Sequence, residues 1–213
     1  MKFKISSIIL ILLSFFNIGA VSGNHMNINS FNELESVYIN KSEFVENGSR
    51  VQYKTKSTIN NEFDRINQII NKNNIYNYEY MGQNRTKFLN EDRQIETELW
   101  SDDRYTYVVI TLVNSSENYK TEDLLSILKE LISRNSEEIQ YYRYYKGKIS
   151  VGYENEYTRD ISNSISESEI LNLSNGYTGS GYCTDGEKIN FAISNYNTGA
   201  YIIIGTPIIF ATY

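Results

Sequence analysis

Chemistry needs side chains that can attack, transfer protons or hold a ligand, and few residues of this chain qualify. The one histidine is His25 and the one cysteine is Cys183. A His-based triad, a Cys–His dyad or a His-rich metal site would have to be built on that single imidazole. His25 sits in a polar stretch and reads as a solvated tail residue. Cys183 reads as an incidental free thiol, and with no second cysteine no intramolecular disulfide forms. Carboxylates are plentiful, in the pairs Glu91-Asp92, Asp102-Asp103, Glu122-Asp123 and Glu137-Glu138. A glycosidase pair must face each other across a cleft, whereas these fall in turns and at helix ends, where solvated charge is expected. Asp185-Gly186-Glu187 is too short for an EF-hand loop. Gly176, Gly179, Gly181 and Gly186 lack the Lys and the strand-to-helix setting of a phosphate cradle, so they read as turns. No catalytic residue, metal ligand or cofactor is therefore assigned.

The 19 tyrosines are the remaining resource. Alternation in 138–151 separates Ile139, Tyr141, Arg143 and Tyr145 from Gln140, Tyr142, Tyr144 and Lys146. Tyr76, Tyr78 and Tyr80 share one side of another strand. Tyrosines on a helix-covered face are core. On an open face they make an aromatic platform for glycan or peptide, with Arg143 or Lys146 at its edge. Tyr also suits strands for packing reasons alone. The candidate binding residues are Tyr142, Tyr144, Lys146, Tyr76 and Tyr78.

The elements that must position them follow from periodicity. Phe31, Leu34, Val37 and Tyr38 recur at helical spacing behind Asn29 or Ser30. Val51, Tyr53 and Thr55 alternate with Gln52, Lys54 and Lys56 in a strand with one wet face. Phe63, Ile66, Ile69 and Ile70 define a helix over 60–72, with Asn60 as its cap. Strands follow at 75–81, 94–100 and 105–113, the last two joined by a turn at Ser101-Asp102-Asp103. Leu124, Leu125, Ile127, Leu128, Leu131 and Ile132 give a broad apolar face to a helix over 121–134, capped by Thr121. Another short helix is placed within 157–173. Strands run over 188–196 and 200–213, the latter bent or bulged at Gly205-Thr206-Pro207. Strand–helix–strand thus occurs twice, as a pseudo-repeat over about 50–113 and 105–213.

The N-terminus reads as an address. Lys2 and Lys4 precede the apolar run Ile8-Ile9-Leu10-Ile11-Leu12-Leu13 and Phe15-Phe16, and Ala20-Val21-Ser22 offers a small-x-small cleavage site. Residues 1–22 are expected to be a signal peptide, 23–29 a flexible mature N-terminus, and 30–213 a single domain. The stretch 5–21 is just long enough to span a bilayer, so a membrane association exists only if the signal is kept as an anchor. The chain carries a net charge of −6, which becomes about −8 without Lys2 and Lys4. An acidic, exported domain repels phosphate backbones, so nucleic acid is excluded as a partner.

Asn175-Gly176-Tyr177-Thr178-Gly179, then Tyr201-Ile202-Ile203-Ile204-Gly205-Thr206-Pro207-Ile208-Ile209-Phe210 and Thr212-Tyr213, resemble the closing motifs of the YwmB-like family of exported Firmicutes proteins. Leu99-Trp100, the element order and the signal also fit. The resemblance implies a TATA-box-binding-like α+β fold: a curved antiparallel sheet with two main helices on one face. It implies no catalytic residues. The fold name carries no DNA-binding function here, because a minor-groove saddle needs a basic surface and apolar wedges. The expected function is a non-catalytic, secreted binding or interaction domain of the Gram-positive cell envelope. Its partner would be an envelope protein or the wall's glycan or peptide. Two alternatives stay open: a carboxylate-based cell-wall hydrolase, and an exported protein inhibitor docking by a sheet edge.

Overall fold

In the computed structural model, residues 28–72, 76–82 and 84–210 are described. The expected signal peptide, and the tail after it up to residue 27, lie outside them. The protein is α+β. Among the described residues, four helices accompany a ten-stranded sheet in which every pairing is antiparallel.

The element order runs α1 (Phe31–Lys41), β1 (Glu43–Thr55), α2 (Ile59–Asn71), β2 (Asn77–Gly82), β3 (Arg85–Leu89), β4 (Arg93–Ser101) and β5 (Thr106–Asn114). It then repeats as α3 (Thr121–Glu130), β6 (Glu137–Ile149), α4 (Glu154–Ser164), β7 (Ser166–Leu173), β8 (Gly176–Tyr182), β9 (Lys188–Tyr196) and β10 (Gly199–Thr206). Both halves are αβαββββ. Across the sheet the order is β2-β3-β4-β5-β1-β6-β10-β9-β8-β7. In each half the first strand closes against the last of its meander, and the long strands β1 and β6 join the halves.

Local chemistry accounts for the ends of the helices. Ser30 caps α1 through Glu33 N, and Thr58, rather than Asn60, caps α2 through Asn61 N. At α3, Thr121 is the first helical residue, and the Asp123 carboxylate accepts from Lys120 N at 2.9 Å.

Cross-strand register assigns the sides of the sheet, because paired residues share a face. Asn47, Ser49 and Val51 of β1 stand opposite Tyr145, Arg143 and Tyr141 of β6. This side carries both apolar cores. The first packs Val51, Tyr53, Phe88, Ile95, Ile110 and Leu112 against Ile66 of α2 and Leu124 and Leu128 of α3. The second packs Tyr145, Phe191, Ile193, Ile202 and Ile204 against Phe31, Leu34 and Tyr38 of α1 and Ile161 of α4. The opening helix of each half therefore covers the core of the other half.

A buried polar seam locks this exchange. Glu35 of α1 is fully buried and accepts from Thr121 N (3.0 Å), Thr121 Oγ1 (2.7 Å) and Asn47 Nδ2 (3.3 Å). It receives the first backbone N–H of α3, where a helix N-terminus favours negative charge. At the other joint, Glu187 accepts from Phe31 N at 2.8 Å and from Arg143 Nη2 at 2.5 Å, while Arg143 also lies 4.8 Å over the Phe31 ring. Arg143 is thus a brace beneath α1, not the rim of a platform on the other side.

Four readings are corrected. The cover of the sheet is not two main helices alone, since α1 and α4, read as short helices, pack on it as α2 and α3 do. Residues 166–173 form the edge strand β7, with the helix ending before them. The glycines of 176–181 lie within a strand, β8. Strand β3 was not anticipated at all.

Candidate functional site

The side of the sheet away from the helices holds Gly48, Arg50, Gln52 and Lys54 of β1. Tyr142, Tyr144 and Lys146 of β6 face the same way, since Gly48 pairs with Tyr144 and Arg50 with Tyr142. Of the five residues named from sequence, these three share the open side. Tyr76 precedes β2 and packs against the first core, where burial raises the pKa of its hydroxyl. The Tyr78 ring lies 5.3 Å from that of Phe88, on the helix side. Tyr76 and Tyr78 therefore do not belong to one platform with Tyr142.

Nor is Tyr144 a free surface, since it is 2 % exposed. After β10 the chain turns back, and its C-terminal strap, 207–210, lies on the open side. The Phe210 ring meets that of Tyr144 edge-on at 4.9 Å and that of Tyr142 at 6.5 Å, and the Arg50 guanidinium sits 4.4 Å from the Phe210 centroid. Asn190 Nδ2 donates to Pro207 O at 2.5 Å. On the other side of Tyr144 its ring packs onto Gly48, where an added Cβ would approach Tyr144 Cε1 to 2.4 Å. Only glycine admits the ring there. The Tyr144 hydroxyl donates to Glu46 Oε1 at 3.1 Å, with Lys146 Nζ at 3.8 Å from the same oxygen.

Beside the strap a trough of about 470 Å³ opens over the first half. Arg50 and Gln52 of β1, Arg85 of β3, and Glu96, Glu98 and Trp100 of β4 line it. Alternation turns the three β4 residues the same way. The order β3-β4-β5-β1 brings Arg50 and Arg85 to opposite flanks. Trp100, 48 % exposed, stacks on Tyr107 with centroids 5.6 Å apart and planes 12° from parallel. Tyr107 is itself pinned, its hydroxyl donating to Asp102 Oδ2 at 2.8 Å. The other Asp102 oxygen accepts from Arg104 N and Tyr105 N, and these bonds hold its carboxyl below the ordinary carboxylate range. Arg50 Nε donates to Thr111 Oγ1 at 3.0 Å, and desolvation lowers the pKa of this guanidinium.

Glu96 and Glu98 are two carboxylates in one concavity. They stand at i and i+2 of one strand, so they project side by side rather than across a bond from each other. Each has a basic neighbour on β3: Lys87 Nζ at 3.8 Å from Glu96, and Arg85 Nε at 3.9 Å from Glu98. Both side chains are open to solvent, 41 % and 52 % exposed. Cys183 is buried, and burial pushes its thiol up to about 12, far from a nucleophile's range.

The trough residues were missed in the sequence, although one signal was present. Glu96, Glu98 and Trp100 occupy the wet phase of an alternating strand, and Trp100 is the chain's one tryptophan. An indole on a wet face is out of place unless something covers it.

Among the described residues no cluster of three or more His, Cys, Asp or Glu side chains has metal-binding geometry, and no helix is long and apolar enough to cross a membrane. Neither a scan against protein-family models nor a search of curated proteins finds a match for this chain.

Proposed function

We propose that this is an exported binding domain of the cell envelope that uses the open side of its sheet, and in particular the trough beside Trp100, to hold a wall component or an envelope protein. The observation that carries this reading is the half-exposed Trp100 plate, held rigid by Tyr107 and Asp102 at the lip of a polar concavity. An exposed aromatic on a pinned support is costly for solubility and useful for contact. Export rests on the n-region, apolar run and cleavage triplet of residues 1–22. The doubled αβαββββ order, with the sheet joined at β1 and β6, is the ground for proposing a TATA-box-binding-like arrangement, and the YwmB-like family is proposed on the closing motifs at 175–179 and 201–213 alone. The acid excess argues against nucleic acid on this or any other face.

The test is retention. The chain should cosediment with purified cell-wall sacculi or be captured with a specific protein from envelope extracts, and Trp100→Ala should weaken that retention. If sacculi and extracts both come back empty, the reading fails.

The hydrolase alternative has one observation in its favour, the presence of Glu96 and Glu98 in the same trough. It requires that Glu96→Gln or Glu98→Gln abolish release of soluble wall fragments. Side-by-side carboxylates with basic neighbours make that release absent from the start in the reading proposed here.

A further inference from the structure

Resting on the reading of the trough as the binding site, we infer that its ligand is a neutral saccharide chain. Three features point to it.

The first is charge. Arg50 and Arg85 stand against Glu96 and Glu98, so the charged lining sums to zero. A polyanion would meet two carboxylates, and a polycation two guanidiniums. A neutral ligand bearing many hydroxyls, each both donor and acceptor, satisfies both kinds of wall.

The second is shape and order. The side chains that would make the hydrogen bonds are already oriented: Arg50 by Thr111 and the Phe210 ring, Glu96 by Gln94 Nε2 at 2.8 Å. Carboxylate, guanidinium and carboxamide groups are planar and bidentate, which matches the vicinal hydroxyls of a sugar ring. Trp100 offers one flat face to solvent while Tyr107 covers the other. A pyranose presents an apolar C–H face of similar size to such a plate.

The third concerns peptide. Strands β1, β3, β4 and β5 are all interior, each paired on both sides. Their backbone groups are occupied, so no peptide can add a strand here, and a main chain would meet side chains only. Peptide addition belongs to the outer backbones of the edges β2 and β7; β7 is at the far end of the sheet, and β2 contributes only Met81 to the trough.

The whole chain is titrated with N-acetylchitotetraose and with cellotetraose, following the emission of its single tryptophan and, in parallel, the heat of binding. The expected result is a saturable change with at least one of the two. The affinity should change less than twofold between low and high salt, because no net charge is neutralised. Trp100→Ala should bind at least roughly tenfold more weakly by calorimetry, as expected for loss of a central aromatic anchor. Trp100→Phe should recover part of the loss, which separates a missing platform from a misfolded variant. No saturable binding of either tetraose, or binding that Trp100→Ala leaves intact, overturns the inference. Retention on sacculi or on an envelope protein in that case leaves the trough as a site for some other ligand. Empty sacculi and extracts sink both.

Discussion

The two halves of the molecule share one topology and treat their open faces differently. In the first half, strands β3, β4, β5 and β1 leave a concavity with a half-exposed indole on its lip. In the second, Tyr144 and Ile203 face the same side and are 2 % and 1 % exposed, and the strap that follows β10 lies against Tyr144. Repetition of a scaffold therefore does not repeat a site. The site comes from the side chains on the wet phase of the strands, and from whether a neighbouring segment covers them. Arg50 stands at the border, one of its faces in the trough and the other under Phe210.

The strongest way to break this comparison is to remove one of the exchanged helices. Deleting the chain up to Lys41 strips Phe31, Leu34 and Tyr38 from the second core, where none is more than 1 % exposed. At about 1.5–3 kcal/mol each, these three side chains together match the entire stability of an ordinary domain. The expected outcome is loss of hydrogen-exchange protection across β6–β10, in the half that the deletion does not touch. Protection retained there would show that α1 is dispensable cover.

A gentler pair sharpens the same point. Leu34→Ala and Leu124→Ala should each cost about 2–5 kcal/mol in denaturant unfolding. Native-state exchange should place the local weakening of Leu34→Ala in β9 and β10 and that of Leu124→Ala in β1 and β5. If both weaken the chain evenly, the two cores are one cooperative unit.

Phe210→Ala tests the border. Phe210 is only half-buried, so the expected loss is about 1–2 kcal/mol. The sharper readout is chemical. Tyr144 should become open to nitration in the variant and stay protected in the parent chain, by peptide mass mapping. An unmodified Tyr144 in the variant would mean that the strap is not its cover.

The smallest effect concerns the seam. Burial raises the Glu35 pKa above its ordinary 4.5, outweighing the bonds from Thr121 and Asn47 that favour the anion. The folded chain then holds this proton more tightly than the unfolded one. The contribution to stability is therefore fully present below about pH 4.5 and is lost as pH rises through the elevated value. Glu35→Gln should flatten that part of the curve of midpoint against pH. A parallel pair of curves would remove Glu35 as the cause.

Much of the fold was legible because its strands and helices have one dry face. Val51, Tyr53 and Thr55 alternate, Leu124 and Leu128 recur at helical spacing, and both segments fold as read. Edge positions broke the reading. Strand β7, Ser-Glu-Ser-Glu-Ile-Leu-Asn-Leu, is exposed along most of its length, so no dry phase marks it as a strand. The β8 glycines imitate turn residues, yet a Cβ on Gly179 would come within 2.4 Å of Phe191 Cζ, and one on Gly181 within 2.7 Å of Ile165 Cδ1. They are small because large neighbours lie over them, a reason that composition does not carry. The candidate site divided in the same way. The phase of β6 placed Tyr142, Tyr144 and Lys146 on one side correctly. The strap over Tyr144 and the partnership of β4 with β1 across β5 are long-range facts, invisible in local periodicity.

The helix exchange also sets a timetable. The second core needs α1, made early, and β9 and β10, made last. The Phe31–Glu187 bond joins residues 156 positions apart. The first core in turn waits for α3, beyond the end of its own meander. Contacts of such sequence separation form slowly: the first core cannot close before α3 exists, and the second cannot close before the last strands do. A polypeptide that is threaded through a membrane pore from its N-terminus must not fold behind the pore before its last residue has entered. For a chain exported as proposed above, that delay would lie in which strands the first helix has to meet.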